Sequence, residues 1–216
     1  READERGEIL ETGIDFTVSQ ALRSRAFWFI SLGHGFTSMV LLAFMLHLAP
    51  MMTDQNYSLQ TASFVVSAYT AVSMVFQLIG GYVGDRIPKN VALMMFTMCQ
   101  AAGVFYLTFG PPTLVTAYGF ALLFGIGFGG RNPISSSIRG DYFGRQHYGK
   151  IMGISQVPMN VLLLIGPVFA GYMRDSTGTY TVAFAVLGAL AVVGGFCFLM
   201  ATKPRNPDQD RVKSIS

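Results

Sequence analysis

The sequence predicts an all-α, polytopic membrane protein with six transmembrane helices. Charged residues make up 12% of the 216 residues, whereas soluble domains average about 25%, so lipid is the expected solvent for most of the chain. Six runs have about the 20 apolar residues that a membrane helix needs, and only the fourth contains a charge. The runs lack the strict alternation of a transmembrane β-strand.

The predicted elements follow in order along the chain. Residues 1–26 form a linker ending in a short amphipathic surface helix, which Ser19 caps. The apolar side of this helix (Ala21, Leu22, Ala26, Phe27) is expected to face lipid, and Arg23 and Arg25 to face water. The transmembrane domain, residues 27–202, has spans at 27–49, 61–83, 91–110, 113–138, 151–173 and 180–202. Residues 203–216 are polar, contain two prolines and predict a disordered tail.

Basic residues give the bundle a sidedness. All Lys and Arg except Arg131 and Arg174 lie on the side that holds both termini. By the positive-inside rule the linker and tail are cytoplasmic, and loops 50–60, 111–112 and 174–179 face outside. Because the chain begins at Arg1 rather than Met, we expect it to be a piece of a longer protein.

The turn between the second and third spans reads GGYVGDRIPKN. On its own, this is a tight turn whose glycines permit close helix contact and whose acid is either solvated or paired as a conformational latch. The stretch resembles the loop signature G-x-L-A-D-R-x-G-R-K of the major facilitator superfamily. The matching residues are Gly81, Gly84, Asp85, Arg86 and Lys89, whereas Val83, Pro88 and Asn90 depart from the pattern.

Two further stretches resemble the branch of that superfamily related to monocarboxylate and oxalate/formate transporters. ALRSRAFWFI is similar to the entry of its seventh helix, and IGPVFAGYMRDSTGTYTVAF to its eleventh-to-twelfth helix segment. The resemblance covers residues 19–202. It implies that the chain is helices seven to twelve of a twelve-helix transporter, the C-terminal half, and that the N-terminal six-helix half is missing.

The resemblance implies a secondary active transporter that moves a small organic anion, a mono- or dicarboxylate, by alternating access. It implies a cell (inner) membrane location and, as partners, the solute, a coupling proton or sodium ion, the lipid bilayer and the missing half. Two alternatives stay open: a carrier of a drug, sugar or nucleoside, and a membrane sensor that does not transport. No cofactor, metal or nucleic-acid partner is expected.

An enzyme is not expected either. An intramembrane aspartyl protease needs Gly-x-Gly-Asp, but Tyr82 occupies the first glycine position before Gly84 and Asp85. A rhomboid-like site needs Gly-x-Ser-Gly, and the sequence GISQ at Gly153 lacks the final glycine. The zinc motif His-Glu-x-x-His is absent from the sequence.

Arg131 is the first candidate for a substrate site, because it lies in the fourth span, which with the first lines the central cavity in this family. At 1.5 Å per residue it sits about 10 Å inside the predicted membrane boundary, where a charge costs at least about 2.5 kcal/mol. It either snorkels to the interface or binds a substrate carboxylate. In the second case Asn132 orients it and Pro133 bends the helix.

His34 is the second candidate, two turns into the first span. It is either a neutral side chain packed against a neighbouring helix or a proton carrier. Thr37 and Ser38 lie one turn further on and are candidates to bond substrate. The other histidines, His47 and His147, are expected to be solvated.

Weaker candidates share helix faces: Tyr69, Ser73 and Gln77 in the second span, and Gln156 and Asn160 in the fifth. Such stripes serve as interhelical hydrogen-bonding groups or as substrate ligands. The stretch IRGDYFGRQHYGK at 138–150 resembles the family's cytoplasmic gate loop. In that loop Arg139, Asp141 and Arg145 would pair with the missing half.

The stretch FGIGFGGRNP contains a literal G-x-G-x-x-G, the dinucleotide-binding pattern. That pattern has to follow a β-strand and open a helix, but here the glycines lie inside an apolar span. We therefore predict that Gly125, Gly127, Gly129 and Gly130 form a packing face for a neighbouring helix.

Overall fold

A computed structural model describes residues 15–205, so most of the predicted linker and tail, residues 1–14 and 206–216, lies outside the described residues. Within residues 15–205 the chain folds into seven helices. Their bounds are α1 (Val18–Arg23), α2 (Arg25–Asp54), α3 (Leu59–Gly84), α4 (Lys89–Phe109), α5 (Leu114–Phe143), α6 (Tyr148–Thr177) and α7 (Thr181–Met200). Helices α2 to α7 are long and apolar enough to cross a membrane, which confirms the predicted all-α, six-span architecture.

Most helix starts have a side-chain cap that the local sequence supplies. Ser24, Ser58 and Thr113 accept hydrogen bonds from the first-turn amides of α2, α3 and α5. Thr17 caps α1 in a reciprocal pair with Gln20, so the predicted cap at Ser19 is wrong by two residues.

The predicted spans lie within a few residues of the helices at most ends, but α2, α5 and α6 run further than expected. Pro50 lies inside α2 rather than in a loop. Helix α5 continues through nearly half of the predicted gate loop and stops at Gly144, whose φ of 84° suits glycine. The turns that follow these three helices are therefore shorter than predicted, and the gate turn covers only residues 144–147, whereas the turn predicted at 111–112 is longer and covers residues 110–113.

The six long helices form two equivalent triplets, one of α2, α3 and α4 and the other of α5, α6 and α7. Helix α3 packs on α5 as α6 packs on α2, and α4 packs on α5 as α7 packs on α2. Helices α4 and α7, the third members of the two triplets, also pack on each other. Exchanging α2, α3 and α4 with α5, α6 and α7 thus reproduces the packing, which is the pattern of inverted three-helix repeats.

Helix α5 lies between α3 and α4, and its glycines make both contacts possible. A Cβ on Gly125 or Gly129 would meet the backbone of α3, and one on Gly127 or Gly130 would meet α4. The predicted glycine packing is therefore present, although it serves two neighbouring helices rather than one.

Helix α1 packs on protein at the end of the bundle where α2 begins and α7 ends, which we call the basic end. Ala21 and Phe16 are buried there in a hydrophobic cluster, and Phe16 meets the ring of Phe143 edge-on at 5.6 Å. Ala26 and Phe27, at the start of α2, are buried in the same cluster, so the expectation that Ala21, Ala26 and Phe27 face lipid is wrong. Arg23 and Arg25 are exposed, as expected.

Two separate hydrophobic clusters fill the bundle. One lies at the basic end and includes Phe27, Leu93, Ile138 and Phe198. The other lies toward the opposite end, where the rings of Phe44 and Phe184 stack at 4.2 Å. The level between the two clusters is where the polar side chains collect.

Candidate functional site

A polar layer separates the two hydrophobic clusters near mid-bundle. On α2, α4 and α5, the residues between the clusters include buried or half-buried polar side chains. The layer consists of His34, Thr37, Thr97, Gln100 and Arg131. Polar groups at this depth lack bulk water, so each needs a partner in the protein or a ligand.

Arg131 lies at the centre of this layer. Its side chain is 2% exposed, and its Nε donates a hydrogen bond of 3.0 Å to Oε1 of Gln100 in the middle of α4. Because α5 extends to Phe143, Arg131 lies about 18 Å from the end of the helix. The bond to Gln100 holds the side chain in the bundle interior, so it does not snorkel to the interface.

Arg139 is a buried residue, which the sequence had assigned to a gate loop. It lies on α5 two turns beyond Arg131, and 1% of it is exposed. One terminal nitrogen donates to the carbonyl of Ser135, one turn nearer the middle of the bundle. The guanidinium therefore points into the bundle rather than toward the basic end. The spacing of Arg131, Ser135 and Arg139 on one helix face was the signal available in the sequence.

His34 faces Arg139 across the gap between α2 and α5. The other terminal nitrogen of Arg139 lies 3.3 Å from Nδ1 of His34. Arginine has no acceptor, so His34 accepts this bond at Nδ1 and carries its proton on Nε2. The two candidates from the first and fourth spans thus belong to one cluster, with Arg139 as its additional member.

The cluster has an excess of positive charge. The ion pairs within residues 15–205 are Lys89–Asp141, Arg174–Asp54 and Arg174–Asp175, and none of them involves Arg131 or Arg139. Several polar atoms of the cluster are buried without a hydrogen-bond partner, namely Nε of Arg139, Nε2 of Gln100 and Oγ1 of Thr97. A buried cation without an acid nearby is chemically suited to an anion.

The remaining site candidates fall into three groups: buried, exposed and half-buried. The hydroxyl of Thr37 bonds to carbonyls of its own helix, and Tyr69 and Ser73 are buried at the contact with α5. The exposed candidates are Gln77, Asn132 and Asn160. Gln156 is half-buried, and its Oε1 has no partner. Tyr69, Ser73 and Gln77 therefore do not form one open face.

The signature turn, residues 80–90 between α3 and α4, is built partly as predicted. Asp85 is the exposed C-cap of α3, and the guanidinium of Arg86 stacks on the ring of Tyr82 at 3.4 Å. Lys89 pairs with Asp141 at 2.5 Å, which ties this turn to the end of α5. Asp141 lies in α5 and not in the predicted gate loop.

The two glycines of the signature turn differ. Gly84 lies against Ile134 of α5, as the predicted close helix contact requires. No atom of the described residues would lie within 4 Å of a Cβ on Gly81, so Gly81 makes no such contact. The gate turn itself holds Arg145, whose backbone amide bonds to Oδ1 of Asp15.

His47, at the opposite end, is half-buried rather than solvated. Its Nδ1 lies 3.2 Å from the hydroxyl of Tyr180, and its Nε2 lies 3.0 Å from the carbonyl oxygen of Pro167. It therefore links α2 to α6 and to the start of α7. The exposed pair Arg174–Asp54 lies at the same end.

Six membrane-length helices in two inverted triplets, with uncompensated cations between them, define a polytopic protein of the transporter class. The sequence profile of the Major Facilitator Superfamily matches residues 27–215. The chain belongs to the major facilitator superfamily.

Curated relatives narrow the branch. Monocarboxylate transporter 13 of Bos taurus is 29% identical over 185 residues, which are 77% of this chain and 41% of that protein. Monocarboxylate transporter 11 of Homo sapiens is 24% identical over 165 residues, which are 71% of this chain and 34% of that protein. The chain thus spans less than half the length of these relatives, and it resembles the monocarboxylate-like branch.

Solved structures agree on the fold. The E. coli fucose:proton symporter superposes with a TM-score of 0.73 at 13% identity, covering 87% of this chain and 45% of that one. An auto-inhibited POT family peptide transporter gives a TM-score of 0.72 at 18% identity, covering 85% of this chain and 39% of that one. At these identities the likeness shows the fold alone. These relatives and neighbours are transporters, not enzymes.

Proposed function

We propose that this chain is the C-terminal six-helix half of a secondary transporter that moves a small mono- or dicarboxylate by alternating access. An N-terminal six-helix half completes the central cavity. The basic end of the bundle faces the cytoplasm in a cell membrane, because nearly all Lys and Arg lie on that side.

The observation that carries the proposal is Arg131, a guanidinium held near mid-bundle by Gln100 with no carboxylate among its described partners. A carboxylate substrate would supply the missing charge, and the planar fork of arginine fits it with two parallel hydrogen bonds. The names of the relatives, monocarboxylate transporters, support the same class of solute.

We assign the exposed candidates a secondary role. Asn132 is adjacent to Arg131, while Gln77 and Asn160 are exposed on α3 and α6. These amides would contact the polar parts of the solute at the wall of the cavity. Thr37 and Tyr69 are left out of the site, since the first bonds its own helix and the second packs in the aromatic cluster.

The test is uptake of labelled lactate and succinate by the full-length transporter in proteoliposomes. Wild-type protein should show saturable uptake of at least one of them. Arg131→Lys keeps the charge but not the fork, so its apparent affinity should fall at least about tenfold, which corresponds to about 1.4 kcal/mol. The exposed Arg23→Lys is the matched control and should behave like wild type.

Other outcomes would separate the alternatives. Unchanged affinity in Arg131→Lys would reject the role of this arginine. Saturable uptake of a sugar, drug or nucleoside in place of the carboxylates would assign another solute class. Absence of flux for every solute class would favour a sensor on the same fold.

A further inference from the structure

We propose that His34 and Arg139 form a proton–anion coupling pair: a proton that binds His34 displaces Arg139, and the released guanidinium holds the substrate anion. The inference rests on the proposed function. It assigns His34 as the residue that takes up the coupling proton and adds Arg139, which the sequence places in a gate loop, to the substrate site.

The hydrogen bond between the two side chains means that Nδ1 of His34 can bind either a proton or the Arg139 guanidinium, but not both at once. Nδ1 of neutral His34 has one lone pair, and the terminal nitrogen of Arg139 lies 3.3 Å from it. A proton arriving from cavity water must occupy the same lone pair, because Nε2 already carries hydrogen. The resulting imidazolium donates from both nitrogens and can no longer accept the Arg139 bond.

The surroundings of His34 strengthen this exclusion. Its Nδ1 faces the guanidinium of Arg139 on α5, and Arg131 lies two turns away on the same helix. Next to His34, Gly33 meets Gly194 and Phe198 of α7, and Gly35 meets Met159 and Leu162 of α6. None of those four neighbours titrates, so no acid on α6 or α7 at this contact offsets the two cations.

Arg139 has unused hydrogen-bonding capacity for an anion. The residue is 1% exposed, and its Nε has no hydrogen-bond partner in the described part of the chain. Its terminal nitrogens are engaged by the carbonyl of Ser135 and by His34. Release from His34 would leave Nε and one terminal nitrogen available, the edge that binds a carboxylate with two parallel bonds.

The net charge of His34, Arg131 and Arg139 favours binding of the proton and the anion together. Protonation of His34 alone would add a third positive charge to Arg131 and Arg139 in a water-poor interior, which is unfavourable. A carboxylate that arrives with the proton leaves the net charge of the cluster unchanged. By linkage, each therefore raises the affinity of the cluster for the other, which is the thermodynamic requirement for proton–carboxylate symport.

The first experiment compares accumulation with exchange in proteoliposomes that contain the full-length transporter and labelled lactate. For one proton per anion, an inward gradient of about one pH unit should concentrate lactate up to about tenfold in the wild type. In His34→Gln the accumulation ratio should fall to about one. Exchange of labelled for unlabelled lactate at saturating concentration and equal pH should persist, because exchange moves no net proton.

The controls separate this inference from the proposed function. His147→Gln, in the gate turn, should accumulate lactate like wild type, because His147 makes no side-chain cap bond. If wild type neither accumulates nor exchanges lactate or succinate, the proposed function fails; if it takes up succinate alone, the comparison is made with labelled succinate. If wild type accumulates lactate and His34→Gln does so equally, the proposed function stands and the coupling pair is wrong.

Arg139→Gln gives an independent test through the pH profile of uptake. Without the Arg139 donor at Nδ1, a proton meets no competitor for that lone pair of His34, so the pH of half-maximal uptake should rise by at least about half a unit while the maximum falls. A merely structural role would lower uptake at every pH without moving the profile. An unmoved profile in Arg139→Gln would overturn the pairing, even if His34→Gln is too unstable to purify.

Discussion

At the scale of single residues, glycines and arginines set the character of α5. The glycines remove side chains where α3 and α4 approach its backbone. The arginines are among the largest fully buried side chains in the described part of the protein. Close packing on two faces and buried charge therefore occur within one helix, and both depend on where its neighbours lie.

Gly80 on α3 tests the close packing. A Cβ at this position would meet the backbone of Gly130 on α5, which cannot move aside as a flexible side chain would. We expect Gly80→Ala to lower the free energy of unfolding by about 1–3 kcal/mol, despite the better helix propensity of alanine. The measurement is thermal unfolding of the full-length protein in detergent.

The neighbouring glycine is the matched control. Gly81 lies on the same helix, and a Cβ there would meet no described atom within 4 Å. Gly81→Ala should therefore change the unfolding midpoint much less than Gly80→Ala does. Equal losses in the two variants would mean that helix propensity or membrane context, rather than contact with α5, sets the effect.

The sequence could predict the glycine face but not its partners. The apolar context of FGIGFGGRNP was enough to exclude a nucleotide loop and to predict packing. Which helix meets Gly125 and which meets Gly127 depends on the tertiary arrangement of the bundle. The same limit applies to Arg139 and His34, which are far apart in the chain and meet only because α2 and α5 face each other.

At the scale of elements, the segment before α2 is fastened to the turn between α5 and α6. Oδ1 of Asp15 accepts from the backbone amides of Arg145 and Gln146, both at 3.1 Å. The backbone amide of Phe16 donates to the carbonyl of Phe143 at 2.9 Å. The linker and the gate turn therefore form one local unit at the basic end.

Removal of the Asp15 carboxylate should loosen this unit. Asp15→Ala leaves two amides without their acceptor, at a cost of about 1 kcal/mol. Hydrogen exchange of a peptide spanning residues 144–147 should therefore speed up several-fold. Asp15→Asn keeps a side-chain oxygen and should show a smaller change. Unchanged exchange in Asp15→Ala would mean that the turn is held by other contacts.

The element boundaries show why a charge-based definition of spans ends too early. The charged residues that follow residue 138 place the end of the predicted fourth span there, yet α5 continues to Phe143. Its extra turn is stabilised by tertiary contacts, including the burial of Tyr142 and Phe143 in the cluster at the basic end. The helix stop signal in the sequence was Gly144 rather than the first charge.

At the scale of the whole molecule, the proposed function makes this chain one of two units that rock against each other. The signature turn lies at its basic end, where Lys89 already pairs with Asp141 and Asp85 is exposed without an ion pair among residues 15–205. In the proposed transporter, Asp85 is therefore available to contact the other half in one conformation.

Neutralisation of Asp85 should affect turnover rather than substrate binding. Asp85→Asn removes the charge of the latch while the polar layer near mid-bundle is left intact. We expect turnover in proteoliposomes to fall several-fold, with substrate affinity measured by equilibrium binding unchanged. Equal losses of affinity and turnover would count against a latch and indicate a general structural defect.

The pair Arg131–Gln100 also has a consequence for how the protein is made. Arg131, near the middle of α5, adds about 2.5–3.5 kcal/mol to the free energy of insertion into a bilayer, so this helix enters lipid less readily than its neighbours. Gln100 lies on α4, which is separated from α5 only by the turn at residues 110–113. Helices α4 and α5 therefore enter the membrane most favourably as a hairpin, with the amide already in place when the guanidinium arrives.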